Sequence, residues 1–177
     1  LVGSEMCIRD SPNSYISEDW VHEQTFNFPS IDYLSTQRTR AMLQIQQGCN
    51  HRCTFCIIPY GRGDAVSLTF TEISKRVKKI LSNGITEIVL TGVDLTSYGE
   101  DLKGKPKLGS ILKKLFKLFP NLPRLRLSSI DPAEIDRDLL DLFKYERRLM
   151  PYLHLSLQSG DNLSLIHISE PTRLRSI

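Results

Sequence analysis

The stretch Gly48-Cys49-Asn50-His51-Arg52-Cys53-Thr54-Phe55-Cys56 holds three of the four cysteines of this chain. Three residues separate the first two cysteines, two separate the last two, and an aromatic residue stands directly before Cys56. Three thiolates can hold three corners of a cubane iron–sulfur cluster and leave the fourth iron without a protein ligand. An iron with an open position can bind a small molecule and pass it an electron, whereas four-thiolate clusters usually only carry electrons.

Two other kinds of site use the same residues. The three cysteines could form a Cys₃His zinc site with His51 or His154. Such sites usually pair their ligands in two short hairpins far apart, and the chain has no second pair of this kind. Disulfides would predict an even cysteine count together with a signal peptide, and we find no signal peptide. The spacing favours the cluster over zinc, and zinc over disulfides.

The two ends of the chain can be encoded by one DNA string read on opposite strands. Residues 1–10 can be written CTC GTG GGC TCG GAG ATG TGT ATA AGA GAC, followed by AG, and the reverse complement encodes residues 163–172. The string resembles a sequencing adapter. We therefore predict that residues 1–11 and 163–177 are translated adapter, to be left out of fold reasoning. Cys7 and His167 then drop out, which leaves the three motif cysteines and an unchanged net charge of +3.

Composition sets broad limits on the class of protein. An apolar content of 40% is typical of a globular protein. No apolar run approaches the ~20 residues that a membrane span needs, so we expect no membrane partner. The mild basic excess permits nucleic-acid binding without arguing for it. A thiol cluster in a chain without a signal peptide predicts the reducing cytoplasm.

Strand and helix patterns alternate from residue 40 onwards. Residues 12–39 have no sustained period and are predicted to be a linker or the tail of a missing upstream domain. Beyond them, predicted strands over 41–46, 87–93, 124–130 and 152–157 alternate with helices that begin at Thr69, near Leu108 and at Asp131. The order β-α-β-α-β-α-β predicts an α/β fold with a parallel sheet and right-handed crossovers.

Three of the four predicted strands, namely the first, third and fourth, alternate apolar with polar residues. In the last strand Leu153, Leu155 and Leu157 alternate with His154, Ser156 and Gln158. If helices cover the leucine face, the polar face looks into an open interior, which a barrel packed with branched apolar layers would not tolerate. We expect a wide, incomplete barrel with a ligand cavity, or else a sheet whose polar face is exposed to solvent.

Loops at the carboxyl ends of parallel strands are where ligands usually bind. The cysteine loop follows the first predicted strand. The loops after the other three are Thr91–Asp94, Ser129–Asp131 and Gln158–Gly160. We expect these four loops to carry the chemistry.

The sequence resembles the radical S-adenosylmethionine (SAM) methylthiotransferases over essentially all of residues 38–162. The matching segments are 47–63, 87–99, 126–132 and 153–161. The resemblance implies a partial (β/α) radical SAM barrel, truncated to about four β/α units, with 40–162 as the N-terminal part of the core domain. Residues 64–68 depart from the arginine- and serine-rich turn that the family usually has there.

The resemblance also implies roles for individual residues. Cys49, Cys53 and Cys56 would ligate the [4Fe-4S] cluster that binds SAM. The residues implied in cofactor binding are then Phe55 at the adenine, Gly92 and Asp94 at the methionine moiety, and Ser128, Ser156 and Gln158 in the cavity. No catalytic residue is implied beyond the cluster ligands.

Within the family, Thr91–Gly99 and Ser128–Pro132 look like the branch acting on N6-threonylcarbamoyladenosine in tRNA. The implied reaction adds a methylthio group at C2 of that adenosine, beside the anticodon (position 37). The family also has an upstream domain with a second [4Fe-4S] cluster and a downstream RNA-binding domain. Its implied partners are the tRNA anticodon loop and a reductant such as flavodoxin or ferredoxin.

Other functions remain open. The substrate could be N6-isopentenyladenosine in tRNA or a ribosomal protein, or the reaction could be another radical SAM chemistry. A tRNA-binding piece without chemistry could instead use the basic residues of two helices, although a solvated helix surface is the simpler explanation. These residues are Lys75, Arg76, Lys78, Lys79, Lys113, Lys114 and Lys117.

Overall fold

The computed structural model describes residues 28–29 and 39–168. The predicted adapter piece 1–11, residues 169–177 and most of the predicted linker 12–39 lie outside these ranges. Elements are numbered in chain order. The strands are β1 (Arg40–Gln44), β2 (Gln46–Gln47), β3 (Val66–Ser67), β4 (Glu87–Thr91), β5 (Arg124–Leu127), β6 (Ser129–Ile130) and β7 (His154–Leu155). The α-helices are α1 (Ile58–Arg62), α2 (Phe70–Ser82), α3 (Leu108–Leu118), α4 (Arg137–Tyr145) and α5 (Asn162–Ile168).

The central sheet has the order β1-β4-β5 and is parallel throughout. The short strands β6 and β7 form a second parallel pair, while β2 and β3 pair antiparallel at the base of the cysteine loop. The predicted α/β fold with parallel strands is confirmed for the described residues.

One face of the central sheet packs into the core. Ala41 is level with Ile88 and Leu125 across the three strands, and all three are buried. The helices that connect parallel strands pack over a face of the sheet, and the residues on this face are therefore buried. On the opposite face, Met42 of the edge strand β1 is 65% exposed, whereas Val89, level with it on the central strand, is buried.

Helix α2 begins where its sequence predicts. The Thr69 side chain accepts a hydrogen bond from the Glu72 backbone N–H, which is the N-cap interaction that satisfies a free donor of the first turn. Ile73, Val77 and Ile80 form its buried face. The helix ends at Asn83, followed by Gly84 in the left-handed region (φ 77°).

Several predicted elements differ from the structure. The strand expected over 124–130 is divided into β5 and β6, which belong to different sheets, and the strand expected over 41–46 is divided into β1 and β2. The helix expected from Asp131 is divided into a 3₁₀ turn (Pro132–Glu134), capped by Asp131, and α4, which has its own N-cap at Asp136. The division arises because Asp136 offers a second capping carboxylate that starts a new helix. The strand expected over 152–157 is reduced to His154–Leu155.

The leucine face of β7 is also exposed, contrary to expectation. Leu153, Leu155 and Leu157 are 42%, 43% and 65% exposed. Helix α5 follows this strand but buries none of its own residues, so it does not cover the leucines as a packed helix would.

Candidate functional site

The cysteine loop is closed at its base by backbone contacts. The Cys49 N–H donates to Gly63 O over 3.2 Å, and the Ala65 N–H donates to Asn50 Oδ1 over 3.0 Å. Gly48 has φ 70°, and a Cβ added there would lie 2.0 Å from Asp64 O. A glycine is therefore required where the chain enters the loop.

The three cysteines lie on this one loop, and none of them forms a disulfide. Cys49 is buried, and Cys53 and Cys56 are half-buried. Burial raises the pKa of Cys49 to about 11, and burial also raises the pKa of Cys53. Burial therefore favours the protonated form of Cys49 and Cys53, and metal binding reverses this preference because the ligand is the thiolate. This donor set of three reduced thiols fits a three-cysteine iron–sulfur cluster.

Asp94 lies directly beside Cys49. Its Oδ2 is 3.7 Å from Cys49 Sγ, and it accepts a hydrogen bond from Ser97 Oγ over 2.8 Å. The Asp94 backbone N–H donates to Gln46 Oε1 over 2.8 Å. A Cβ at Gly92 would lie 2.9 Å from that same Gln46 oxygen, so the glycine makes room for the glutamine that holds this loop.

His51 contacts two carboxylates at once. Its Nε2 is 3.1 Å from Asp94 Oδ2 and 3.0 Å from Glu134 Oε1. Contact with Asp94, and then with Glu134, raises the pKa of His51 to about 11. The contact with His51 lowers the pKa of Glu134. Burial raises the pKa of Asp94, but His51 and Ser97 outweigh burial and leave it below the ordinary value.

A cavity of about 490 Å³ opens beside the cysteine loop. Cys53, His51 and Glu134 line one part of it, and Ser156 and Gln158 line another. The structure thus brings the cysteine loop together with the segments that follow β6 and β7. Leu165 and Ile166 of α5 also line this cavity, and the Thr54 N–H donates to Ile168 O over 3.0 Å.

The remaining predicted site residues occupy different surroundings. The Ser128 Oγ is buried, has no hydrogen-bond partner among the described residues, and does not line the cavity beside the cysteine loop. Phe55 is 64% exposed on the cysteine loop. The roles of Phe55, Gly92, Asp94, Ser128, Ser156 and Gln158 in binding SAM stay predictions.

For a zinc site, the structure brings together a different set of potential ligands from the three cysteines and one histidine that the sequence suggests. Among the described residues, Cys49, His51 and Asp94 offer ligand atoms within 4.8 Å of one another. His51 is thus near Cys49, as that alternative requires. However, the carboxylates of Asp94 and Glu134 already surround its Nε2.

Glu134 and Ser97 are site residues that sequence reasoning missed. A helix that begins at Asp131 would place Glu134 in its first turn, whereas the Glu134 side chain reaches back to the cysteine loop. The signal was its position just after a strand, at the edge where ligand loops gather.

The basic residues of α2 and α3 include two that contact acidic neighbours. Lys75 Nζ is 2.7 Å from Glu72 Oε1, and Lys113 Nζ is 2.7 Å from Asp138 Oδ1. Both lysines are exposed, which agrees with solvated helix faces. Within residues 28–29 and 39–168, no helix combines the length and apolar content needed to cross a membrane.

Comparisons with known proteins place this site in a family. The chain is 50% identical over 128 residues to the threonylcarbamoyladenosine tRNA methylthiotransferase MtaB of Rickettsia prowazekii, covering 72% of this chain and 30% of that protein. It is 36% identical over 135 residues to the tRNA-2-methylthio-N(6)-dimethylallyladenosine synthase of Ehrlichia canis, covering 76% of this chain and 30% of that protein. The chain thus spans about a third of the length of these curated relatives.

A solved structure shares the fold at low identity. The radical SAM methyltransferase TsrM of Kitasatospora setae, with tryptophan and a SAM analogue bound, superposes with a TM-score of 0.56 at 15% identity, covering 75% of this chain and 24% of that chain. The profile of the radical SAM superfamily matches residues 43–176. Most of the described chain lies within that match, and the chain therefore belongs to the radical SAM superfamily.

Proposed function

We propose that this chain is part of a radical SAM enzyme that adds a methylthio group at C2 of N6-threonylcarbamoyladenosine at position 37 of tRNA. The observation that carries the proposal is the placement of three reduced cysteines on one loop. That loop lies beside Asp94 and near Ser156 and Gln158, at the ends of parallel strands. The Rickettsia prowazekii relative, whose name specifies this nucleoside, supports the choice of substrate.

Cys49, Cys53 and Cys56 would hold a [4Fe-4S] cluster with one open iron. When bound, the cluster supplies the electron that cleaves SAM to a 5′-deoxyadenosyl radical. The protein's own part is to bind and orient the reactants. Asp94 offers a carboxylate within 3.7 Å of Cys49 Sγ, close to where a cationic methionine group would sit. Ser128, Ser156 and Gln158 offer hydrogen-bonding groups toward the adenosine.

We further propose the domain arrangement that the resemblance implies. Residues 40–162 form the first part of an incomplete (β/α) barrel of about four β/α units. The remaining strands, the domain with the second cluster and the RNA-binding domain would belong to the full-length protein, meaning the product of the gene that carries this sequence. That protein would act in the cytoplasm, where thiols stay reduced, and would receive electrons from a flavodoxin or ferredoxin.

The ends of the chain need a separate test. We propose that residues 1–11 and 163–177 are translated adapter. The family match runs through residue 176, beyond this boundary, so the codons are the deciding observation. Codons at the two ends that are not reverse complements of each other would contradict this assignment.

The function is tested by deleting the gene in its source organism and analysing tRNA nucleosides by mass spectrometry. We expect 2-methylthio-N6-threonylcarbamoyladenosine to disappear and its precursor to accumulate. The intact gene should restore the nucleoside, whereas a gene with Cys49→Ala, Cys53→Ala and Cys56→Ala should not. Restoration by the triple variant would favour a tRNA-binding role without chemistry.

The same experiment decides between substrate branches. The Ehrlichia canis relative, named for a dimethylallyladenosine product, supports the isopentenyladenosine branch as the second candidate. Loss of the methylthio group from isopentenyladenosine alone would overturn the main proposal in favour of that branch. An unchanged nucleoside profile would exclude both tRNA branches and leave a ribosomal protein or another radical SAM reaction.

A further inference from the structure

Two acidic side chains from different loops meet beside the cysteine loop. Asp94 follows β4, and Glu134 ends the 3₁₀ turn after β6. The Ser97 hydroxyl lies 2.8 Å from Asp94 Oδ2 and 2.8 Å from Glu134 Oε2, so both carboxylates reach the same group. Their side chains are 10% and 28% exposed, which leaves little water to screen one from the other.

Two like charges held this close destabilise each other unless a donor lies between them. Ser97 has a single hydroxyl hydrogen and can donate it to only one carboxylate at a time. His51 lies between the two acids, because its Nε2 is within 3.1 Å of an oxygen of each. Nε2 forms no well-aligned hydrogen bond with either oxygen, so its contact with the two acids is a short ion-pair contact.

His51 stands between Cys49 and Cys53 in the chain, so this contact ties the cysteine loop to two other loops. We propose that His51 is a positioning residue that bridges Asp94 and Glu134. It thereby holds the cysteine loop against the carboxyl ends of β4 and β6, with Asp94 beside Cys49. The inference rests on the proposed function in one respect, namely that this loop carries the cluster. Groups just outside a metal's ligands commonly set ligand orientation in this way.

The test uses the full-length protein, purified and loaded with iron and sulfide without oxygen. His51→Ala should weaken SAM binding by about tenfold or more, the effect typical of lost positioning contacts. It should also change the electron paramagnetic resonance spectrum of the reduced cluster in the presence of SAM. His51→Gln should retain most of the SAM affinity, because the glutamine amide has two N–H donors for the two acids.

A double variant separates positioning from simple packing. In the His51→Ala background, Glu134→Gln removes one of the two negative charges that repel each other. The new amide also offers a hydrogen-bond donor to Asp94. We expect it to recover part of the SAM affinity and of the wild-type spectrum. This change cannot refill the space left by the imidazole. If His51 acted only by packing, the double variant would therefore recover neither SAM affinity nor the spectrum. The matched control is Glu72→Gln, which removes an exposed glutamate paired with Lys75 on α2 and should change neither readout.

The outcomes distinguish this inference from the proposed function. If the wild-type protein retains no more iron than the triple cysteine variant, the cluster assignment fails. If the wild-type protein loads iron and His51→Ala matches it in SAM affinity and spectrum, the positioning role alone is overturned. Failure of Glu134→Gln to improve the His51→Ala variant would overturn the charge-bridging mechanism. Zinc in place of iron in the wild-type protein would also overturn it, since the histidine would then serve as a ligand.

Discussion

At the scale of single residues, the site depends on a glycine as much as on its cysteines. Gly48 is the last residue before Cys49, and its carbonyl accepts a hydrogen bond from Gln46 Nε2 over 2.8 Å. Its positive φ and the nearby Asp64 carbonyl leave no room for a side chain. The backbone conformation at Gly48 therefore fixes the position of Cys49, the first of the three proposed ligands.

Replacing this glycine should disturb the cysteine loop specifically. In Gly48→Ala, the added methyl would sit 2.0 Å from a backbone oxygen, so the loop must move. We expect the iron retained by the full-length protein to fall to the level of the triple cysteine variant. Iron analysis after anaerobic reconstitution measures this.

Gly84→Ala provides the matched control for conformational strain. Gly84 also has a positive φ (77°), but no atom lies within 4 Å of an added Cβ. The substitution costs about 1–2 kcal/mol in backbone strain without a clash, and iron content should stay normal. Equal iron contents in the two variants would show that the clash at Gly48 is relieved without moving the ligands.

The sequence predicted the position of the cysteine loop after the first strand well and the contacts of that loop poorly, while the role of the cysteines as ligands stays a prediction. Cysteine spacing is a local signal, because all three thiols lie on one loop. Asp94 could be predicted at the same edge because carboxyl ends of parallel strands converge. The contact between His51 and Glu134 joins residues far apart in the chain, and it depends on a 3₁₀ turn that propensity alone did not separate from the following helix.

At the scale of elements, Asp136 links two helices. Its Oδ1 accepts from the Leu139 N–H over 2.9 Å and caps α4, while its Oδ2 accepts from the Gly109 N–H over 2.9 Å in the first turn of α3. The approach is close, since a Cβ on Gly109 would lie 2.3 Å from Asp136 Oδ1. One carboxylate thus satisfies free donors at the N-terminal ends of both helices.

A graded series at this position should reveal the two bonds. Asp136→Ala removes both acceptors and should lower the local stability of α3 and α4 by about 2 kcal/mol, at about 1 kcal/mol for each bond. Asp136→Asn keeps one acceptor oxygen and should cost about half as much. Amide hydrogen exchange of the two helices in the full-length protein measures the effect.

The control for this series is Thr69→Ala, which removes only the cap of α2. It should speed exchange in α2 and leave α3 and α4 unchanged. If Asp136→Asn matched Asp136→Ala, or if α3 kept its wild-type exchange in both, the shared carboxylate would not be what joins these helices.

At the scale of the whole molecule, the exposed leucines of the last strand are the main departure from the predicted pattern. The alternation of Leu153, Leu155 and Leu157 with polar residues predicts a strand with one covered side, whereas the structure forms only His154–Leu155 as a strand and leaves both of its sides exposed. Periodicity cannot say what covers the apolar side. Strand β7 pairs with β6 on one side, and no strand of the described chain pairs with its other side. An apolar strand with an open edge is a site for association between chains.

We therefore expect the 177-residue chain, expressed by itself, to be largely insoluble or to form oligomers, and to be inactive. Leu155→Lys combined with Leu157→Lys should raise the soluble, monomeric fraction, because charges on an open strand oppose edge-to-edge pairing. The control is Leu140→Lys, which changes a leucine that is 55% exposed on α4, away from this edge. Size-exclusion chromatography with light scattering measures the monomeric fraction. A wild-type chain that is monomeric and soluble, or an equal gain from the α4 control, would contradict the assignment of association to this edge.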